Sequence, residues 1–291
     1  MQRLALTITY DGSRFAGSQI QPGQRTVQAV MEDALGGFYG RPTAAVFAGR
    51  TDRGVHAAGQ VVSCFDGRPD LELKAVQAAL NARLPDDVAV IRTTRRDGQF
   101  HARYDARWRE YRYRVWAGER APLARHHVWQ RRAALDPRRM NDAASRVPGR
   151  RDFASIAGGG EGVPWSSRRR QPRGTVRTVV ACALTEGAAW WCAGQPGDGR
   201  LWELRVVADG FLPHMVRNLV SVLVDVGRCR RQPDWVDELL SATDRRLAPA
   251  MAPPQGLVFW GVGYEEDQPT GWSVGEPHEA NTISKSPHFA A

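Results

Sequence analysis

The stretch Phe47-Ala48-Gly49-Arg50-Thr51-Asp52-Arg53-Gly54-Val55-His56-Ala57-Ala58-Gly59-Gln60-Val61-Val62 decides how the rest of the chain is read. One apolar run enters it and another leaves it. Between them stand three glycines, two arginines, one aspartate and one histidine. That composition marks a loop held between two strands, where rigid scaffolds present chemistry. Asp52 has two readings there. It is a turn-capping carboxylate, a routine role for aspartate. Or it is held ionised by Arg50 and Arg53 and serves as nucleophile or base. The local pattern does not choose between them.

Outward from this stretch, Ala44 to Phe47 reads as a short strand and Gln60 to Phe65 as the strand leaving it. Leu4, Leu6 and Ile8 alternate into the turn signal Tyr10-Asp11-Gly12. Val27, Val30, Met31, Leu35 and Phe38 follow helical spacing after a Thr26 cap, with Gly36, Gly37 and Gly40 predicted to end the helix. A second helix is predicted from Leu73 through Leu84, stopped by Pro85, and a strand from Val88 to Thr94. Glu110 to Trp116 alternates as a strand, with Tyr111, Tyr113 and Val115 on one face and Arg112 and Arg114 on the other. Asp136-Pro137 starts a helix. Strands are predicted over Thr175–Leu184, Leu201–Ala208 and Leu257–Tyr264, and helices after Pro213 and Pro233. Gly158 to Gly174, with Arg168, Arg169, Arg170 and Arg173, reads as a mobile basic loop. Gln268 to Ala291 reads as disordered. Short, hairpin-like connections favour an α+β fold with a mixed or mainly antiparallel sheet over a doubly wound parallel one.

The chain has 291 residues, a formal charge of +9 and a pI of about 10.0. That balance points to a polyanionic partner, nucleic acid first, against the alternative of a merely solvated basic surface. Only Lys74 and Lys285 are lysines among 40 basic residues, so phosphate contacts would fall to planar guanidinium groups. Cys64, Cys182, Cys192 and Cys229 form no C-x-x-C pair and no zinc spacing, so a reducing, cytoplasmic setting is expected. The N-terminus lacks a signal-peptide core. The longest apolar region, Val216 to Val226, is broken by Arg217, Asn218 and Asp225, so no membrane span is expected.

Other candidates carry paired readings. Tyr111 and Tyr113 are either a half-buried strand face or an aromatic platform for a base, with the interleaved arginines on phosphates. Arg217, in an apolar helical segment, either snorkels or meets a carboxylate. His56, His101 and His214 are proton-transfer candidates or structural residues. Metal catalysis finds little support, because Asp52 has no acidic neighbour until Asp66. Gly158-Gly159-Gly160 matches no phosphate-binding fingerprint.

Taken in order, these residues resemble the tRNA pseudouridine synthase A family. The resemblance rests on Gly49-Arg50-Thr51-Asp52-x-Gly54-Val55-His56-Ala57-x-Gly59-Gln60-Val61, with Tyr10-Asp11-Gly12, Asn81-Ala82-x-Leu84-Pro85 and Phe100-His101-Ala102-Arg103. Tyr111-Arg112-Tyr113, His214-Met215-Val216-Arg217-Asn218 and Gly256-Leu257 extend it to about residue 264. It implies a cofactor-free, metal-independent homodimeric isomerase converting uridine to pseudouridine at tRNA positions 38, 39 and 40. It implies the pseudouridine synthase fold: two related α+β subdomains sharing a mainly antiparallel sheet, with a basic cleft between them. The expected division is 1–118 carrying Asp52, 119–266 carrying Arg217 and Leu257, and a tail over 267–291. By position, Asp52 matches the catalytic aspartate and Tyr111 the tyrosine that stacks on the target base. Arg217 matches the arginine that pairs with the aspartate, Leu257 an apolar pocket residue, and Arg50 a motif arginine that helps open the stem. Two other readings stand beside this one: a tRNA-binding protein without turnover, and a metal-dependent nuclease. Gly17-Ser18 stands where the family usually has Gly-Trp, and Arg53 where a small residue is common.

Overall fold

The computed structural model describes residues 2–158, 174–189, 191 and 199–264. Most of the predicted basic loop, the expected tail over 267–291 and Cys192 lie outside the described residues.

The first strand, β1 (Arg3–Tyr10), is followed by α1 (Val27–Tyr39), β2 (Val46–Phe47), β3 (His56–Phe65), α2 (Leu73–Asn81) and β4 (Val88–Arg96). Then come β5 (Trp108–Ala117), β6 (Trp129–Arg131), α3 (Pro137–Ser145), β7 (Gly149–Asp152), β8 (Val176–Gly187) and β9 (Arg200–Ala208). The described chain closes with α4 (Met215–Gly227), α5 (Trp235–Ala242) and β10 (Leu257–Gly263).

The caps read from the sequence are present. The Thr26 hydroxyl accepts from Ala29 N, and the Asp136 carboxylate accepts from Arg138 N and Arg139 N ahead of Pro137. The end of α1 differs from the expectation, and α2 stops at Asn81 rather than running through Leu84. Gly36 and Gly37 lie inside α1, and the helix stops only at Gly40, where φ is 68°. A left-handed C-terminal residue ends a helix, whereas a helical glycine merely weakens it.

All the described strands join one sheet in the order β4-β1-β3-β10-β5-β9-β8-β7, with β2 against β3 and β6 against β5. Only β10–β3 and β5–β6 are parallel, so the sheet is mixed and mainly antiparallel, as expected. One connection pattern occurs twice. β1 has β3 on one side, reached through α1, and β4 on the other, reached through α2. β5 likewise has β9 on one side, reached through α3 and β8, and β10 on the other, reached through α4. The two patterns meet where β10 lies beside β3.

The predicted faces of β5 are real. Tyr111, Tyr113 and Val115 are buried in the core that also holds Leu6, Leu204 and Phe259. On the opposite face Arg112 and Arg114 meet carboxylates: Arg112 pairs with Glu110 and Glu203, and Arg114 with Glu203. The Arg112 guanidinium also lies 3.9 Å from the centre of the Trp260 ring. These arginines are engaged within the sheet face rather than held out as bare cations. α4 is buried almost all round, including Arg217 and Asn218, as a helix with apolar residues on every side must be. Among the described residues no helix is long and apolar enough to cross a membrane.

Candidate active site

Residues 48–55 connect β2 to β3, and each end of that connection is tied to the sheet. Gln60 grips Gly49 with both ends of its amide: Nε2 donates to the carbonyl at 2.9 Å and Oε1 accepts from the N–H at 3.2 Å. Buried Arg109 donates to the Ala48 carbonyl from Nε and Nη2, and also to the carbonyls of Arg103 and Asp209. A buried guanidinium satisfied this way fixes three loops relative to β5. Nothing local sets Arg109 apart, since it is one of several arginines in an aromatic-rich run.

Thr51 is held on three sides. Its N–H donates to the Ser18 hydroxyl at 2.9 Å, and its carbonyl accepts from Ser18 N at 3.0 Å. Its hydroxyl meets the Tyr10 hydroxyl at 2.8 Å. Burial pushes the Tyr10 phenol up to about 12, so it keeps its proton near neutrality. Ser18 thus holds both main-chain groups of Thr51. Val55 N closes the turn onto the Asp52 carbonyl at 3.1 Å, and Gly54 sits at its third position with φ 78°, a type II geometry that suits glycine.

This turn delivers Asp52 to the first turn of α4. Asp52 Oδ2 accepts from Arg217 Nη1 at 3.0 Å, and His214 Nε2 lies 3.6 Å from the same oxygen. Arg217 is only 8% exposed, and its Nε donates to the Ala252 carbonyl at 2.8 Å. Its two bonds therefore join the turn, α4 and the segment leading into β10. Neither Arg50 nor Arg53 makes an ion pair with Asp52. Arg53 reaches out to Gln24 Oε1 at 3.3 Å, while Arg50 is exposed beside Arg103 and Tyr104. Partial burial and the Arg103 charge lower the Arg50 pKa. The local expectation that the flanking arginines hold the carboxylate is replaced by a partner from 165 positions away.

His214 stands apart from the other two histidines. It precedes α4 in a left-handed conformation, φ 60° and ψ 0°, uncommon outside glycine. Gly158 lies against its ring: a Cβ added at Gly158 would fall 2.0 Å from Nδ1. The signal for this proximity was its place three residues before Arg217. His56 has the opposite character. It is 5% exposed, its Nδ1 accepts from Gly12 N, and its Nε2 faces the His126 carbonyl at 2.7 Å. That pattern assigns the proton to Nε2. Burial lowers its pKa in spite of Asp11, so it is a neutral core residue. His101 Nδ1 accepts from Arg103 N and Tyr104 N in its own turn.

Tyr111 lies beneath the turn, its hydroxyl donating to the Arg50 carbonyl at 3.3 Å. The rings of Phe211 and Phe259 meet it edge-on at 4.9 and 5.1 Å. Neither phenylalanine stood out in the sequence. With Tyr111 only 7% exposed, little of its ring is free for a partner. Tyr113 is fully buried and donates to the Pro253 carbonyl at 2.7 Å, which pins the approach to β10. Leu257 opens β10 opposite Tyr113, and Phe259 sits opposite Tyr111. Asp52 and Arg217 are thus in direct contact, Tyr111 and Arg50 meet through a main-chain bond, and Leu257 lines the adjoining sheet. Among the described residues no group of three His, Cys, Asp or Glu side chains could hold a metal ion.

The sequence model of the tRNA pseudouridine synthase family matches residues 6–105 and 143–265. The chain belongs to the tRNA pseudouridine synthase family. It is similar to tRNA pseudouridine synthase A of Geobacillus kaustophilus, 39% identical over 268 residues that cover 91% of this chain and 96% of that one. It is 39% identical to the Myxococcus xanthus protein of the same name, covering 92% and 94% of the two chains, and 38% identical to that of Bacillus subtilis, covering 90% and 99%. Of the two family matches, the first carries Asp52 and the second Arg217 and Leu257. Tyr111 and the whole of β5 lie between them.

Proposed function

We propose that the protein is an isomerase that converts uridine to pseudouridine in the anticodon arm of tRNA, at positions 38, 39 and 40, with Asp52 as the catalytic carboxylate. The observation that carries this reading is the Asp52–Arg217 contact, made by two distant segments in a chain of this family. The reaction breaks the bond between C1′ and N1 of the uracil and forms one between C1′ and C5. The C5 proton is lost and N1 gains one, so no net oxidation occurs and no redox group is required. Asp52 acts on the ribose as nucleophile at C1′ or as base toward a glycal. Because Arg217 and His214 both approach Oδ2, Oδ1 is left to face the substrate.

The freed uracil must turn before it rejoins the sugar. Tyr111 and Leu257 supply apolar surface that tolerates this rotation. Because Tyr111 carries Phe211 against it, stacking requires Phe211 to give way when the base enters. Extracting the base from its stem costs a few kcal/mol of unstacking. Phosphate contacts with exposed arginines, Arg50 among them, offset that cost. The protein works as a cytoplasmic homodimer, with residues 1–118 and 119–266 as its two related halves and 267–291 as a tail.

The test is pseudouridine mapping in tRNA incubated with purified protein. The expected result is modification at positions 38–40 by the wild type, surviving EDTA, and none by Asp52→Ala, which still binds tRNA. Normal turnover by Asp52→Ala would sink the catalytic assignment.

A further inference from the structure

At the end of α4 remote from Asp52 lies a second concentration of positive charge, outside the machinery described above. From Arg217 in the first turn of α4 to Arg228 just past its last residue, the helix rises about 16 Å at 1.5 Å per residue. There the chain forms an open cleft of about 410 Å³ lined by Gly118, Arg120, Gln130, Arg131 and Arg132. Its wall is firmly built. Gly118 N donates to the Arg131 carbonyl at 2.8 Å, and β6 is paired with β5 along that edge. Gln130 spends its amide on both main-chain groups of Ala121. The arginines are different. Among the described residues no carboxylate pairs with Arg120, Arg131 or Arg132. Burial lowers the Arg131 pKa, and the charges of Arg228 and Arg230 add to it. The Asp225 carboxylate opposes that shift and contacts Arg230 at 3.4 Å. The last carbonyls of α4 are already taken by the N–H groups of Arg228, Cys229 and Arg230, so they do not face the cleft as bare acceptors.

This differs from the arginines on β5, where Glu110 and Glu203 take up the charge. Several guanidinium groups held together without carboxylate partners of their own repel one another unless an anion joins them. Planar guanidinium forks suit the paired oxygens of a phosphodiester. A polyanion long enough to reach Asp52 can span the helix to this cleft. We propose that the cleft of Arg120, Arg131 and Arg132 is a second docking site for the RNA backbone, holding phosphates of the same molecule whose base is presented to Asp52. This inference rests on the proposed tRNA substrate.

The experiment is a salt titration of binding to an unmodified tRNA transcript, comparing wild type with the triple variant Arg120→Gln, Arg131→Gln, Arg132→Gln. Each lost phosphate contact should lower the slope of log affinity against log salt by about 1. The expected result is a shallower slope and a raised KM, with kcat at saturating tRNA unchanged. An identical slope overturns the proposal. If the triple variant melts early, Arg132→Gln alone, at an exposed side chain, decides by the same readout. Inorganic phosphate is the second probe. Saturable phosphate binding lost in the variant, with the tRNA slope unchanged, assigns the cleft to a free anion and also overturns it. Failure of the proposed function looks different: the wild type itself would form no pseudouridine.

Discussion

Asp52 and Asp66 each meet an arginine from a distant segment, Arg217 at 3.0 Å and Arg95 at 2.9 Å. The pairs share their chemistry and differ in what is left over. The Asp66 side chain is fully buried, and both oxygens are occupied: Oδ2 by Arg95, Oδ1 by Arg68 N–H. Arg95 continues to the Leu71 carbonyl, so that pair ties the end of β3 to β4 and the entry to α2. The Asp52 side chain is 36% exposed, and its bond from Arg217 and the nearby His214 both fall on Oδ2. A carboxylate with all its acceptors used can only hold structure. One with a free oxygen at the surface can also react. Pairing with arginine does not separate the two cases, whereas unused capacity does.

The comparison breaks first, and most visibly, at Asp52. Asp52→Asn keeps an acceptor for Arg217 but removes the reactive charge. Pseudouridine formation should fall by at least about 10⁴-fold, the scale seen when a reacting group is lost. Urea denaturation should show a stability change within about 1 kcal/mol, as for a partly exposed pair. Asp66→Ala should do the reverse. Leaving Arg95 without its buried partner should cost about 3–5 kcal/mol in the same denaturation experiment, while the folded fraction keeps its wild-type kcat. Equal effects of the two substitutions on rate would erase the distinction.

Arg217→Lys sharpens it. Lysine keeps the charge but cannot serve Asp52 and Ala252 from one planar group. A loss of roughly 10- to 100-fold in kcat, equivalent to about 1.4–2.7 kcal/mol, is expected with tRNA affinity unchanged. The smallest effect concerns the buried His56. Burial depresses the His56 pKa, so the unfolded chain, titrating near about 6.5, takes up a proton first as pH falls. Stability should therefore decline below that pH, by no more than about 1.4 kcal/mol per unit from this residue, and should not depend on it above. His56→Asn should flatten this acid slope when urea denaturation is repeated at decreasing pH.

Much of the framework was legible because it is written in local chemistry. Thr26, Asp136-Pro137 and the alternation through Tyr111, Tyr113 and Val115 specify their elements with neighbours only a few residues away. What stayed hidden depends on residues far apart in sequence. Asp66 reads as a turn residue in Phe65-Asp66-Gly67, and nothing local announces Arg95. Arg109 looks like its neighbours until three loops converge on it. β6 and β7 are too short for a period to show, and they exist because β5 and β8 offer them an edge. β3 begins at His56, earlier than expected, because its pairing with β1 and β10 absorbs Ala57 to Gly59. Within the site, Asp52, Arg217 and Tyr111 were picked out by family resemblance. Ser18 went unmarked because its role is its distance to Thr51, and His214 stood only as one histidine candidate among three until the fold brought it to Asp52.

The position of β10 has a consequence for how the molecule comes into being. This strand lies between β3 and β5 although residues 257–263 are made long after both. A nascent chain that has completed β3 and β5 carries two strand edges awaiting a partner not yet synthesised. Such edges are open to mispairing during that interval. The same delay governs assembly of the site, because Arg217 is anchored through Ala252 and Tyr113 through Pro253, both just ahead of β10. A ribosome-bound chain stalled before residue 252 would carry Asp52 on its turn without the main-chain anchor that fixes the arginine opposite it.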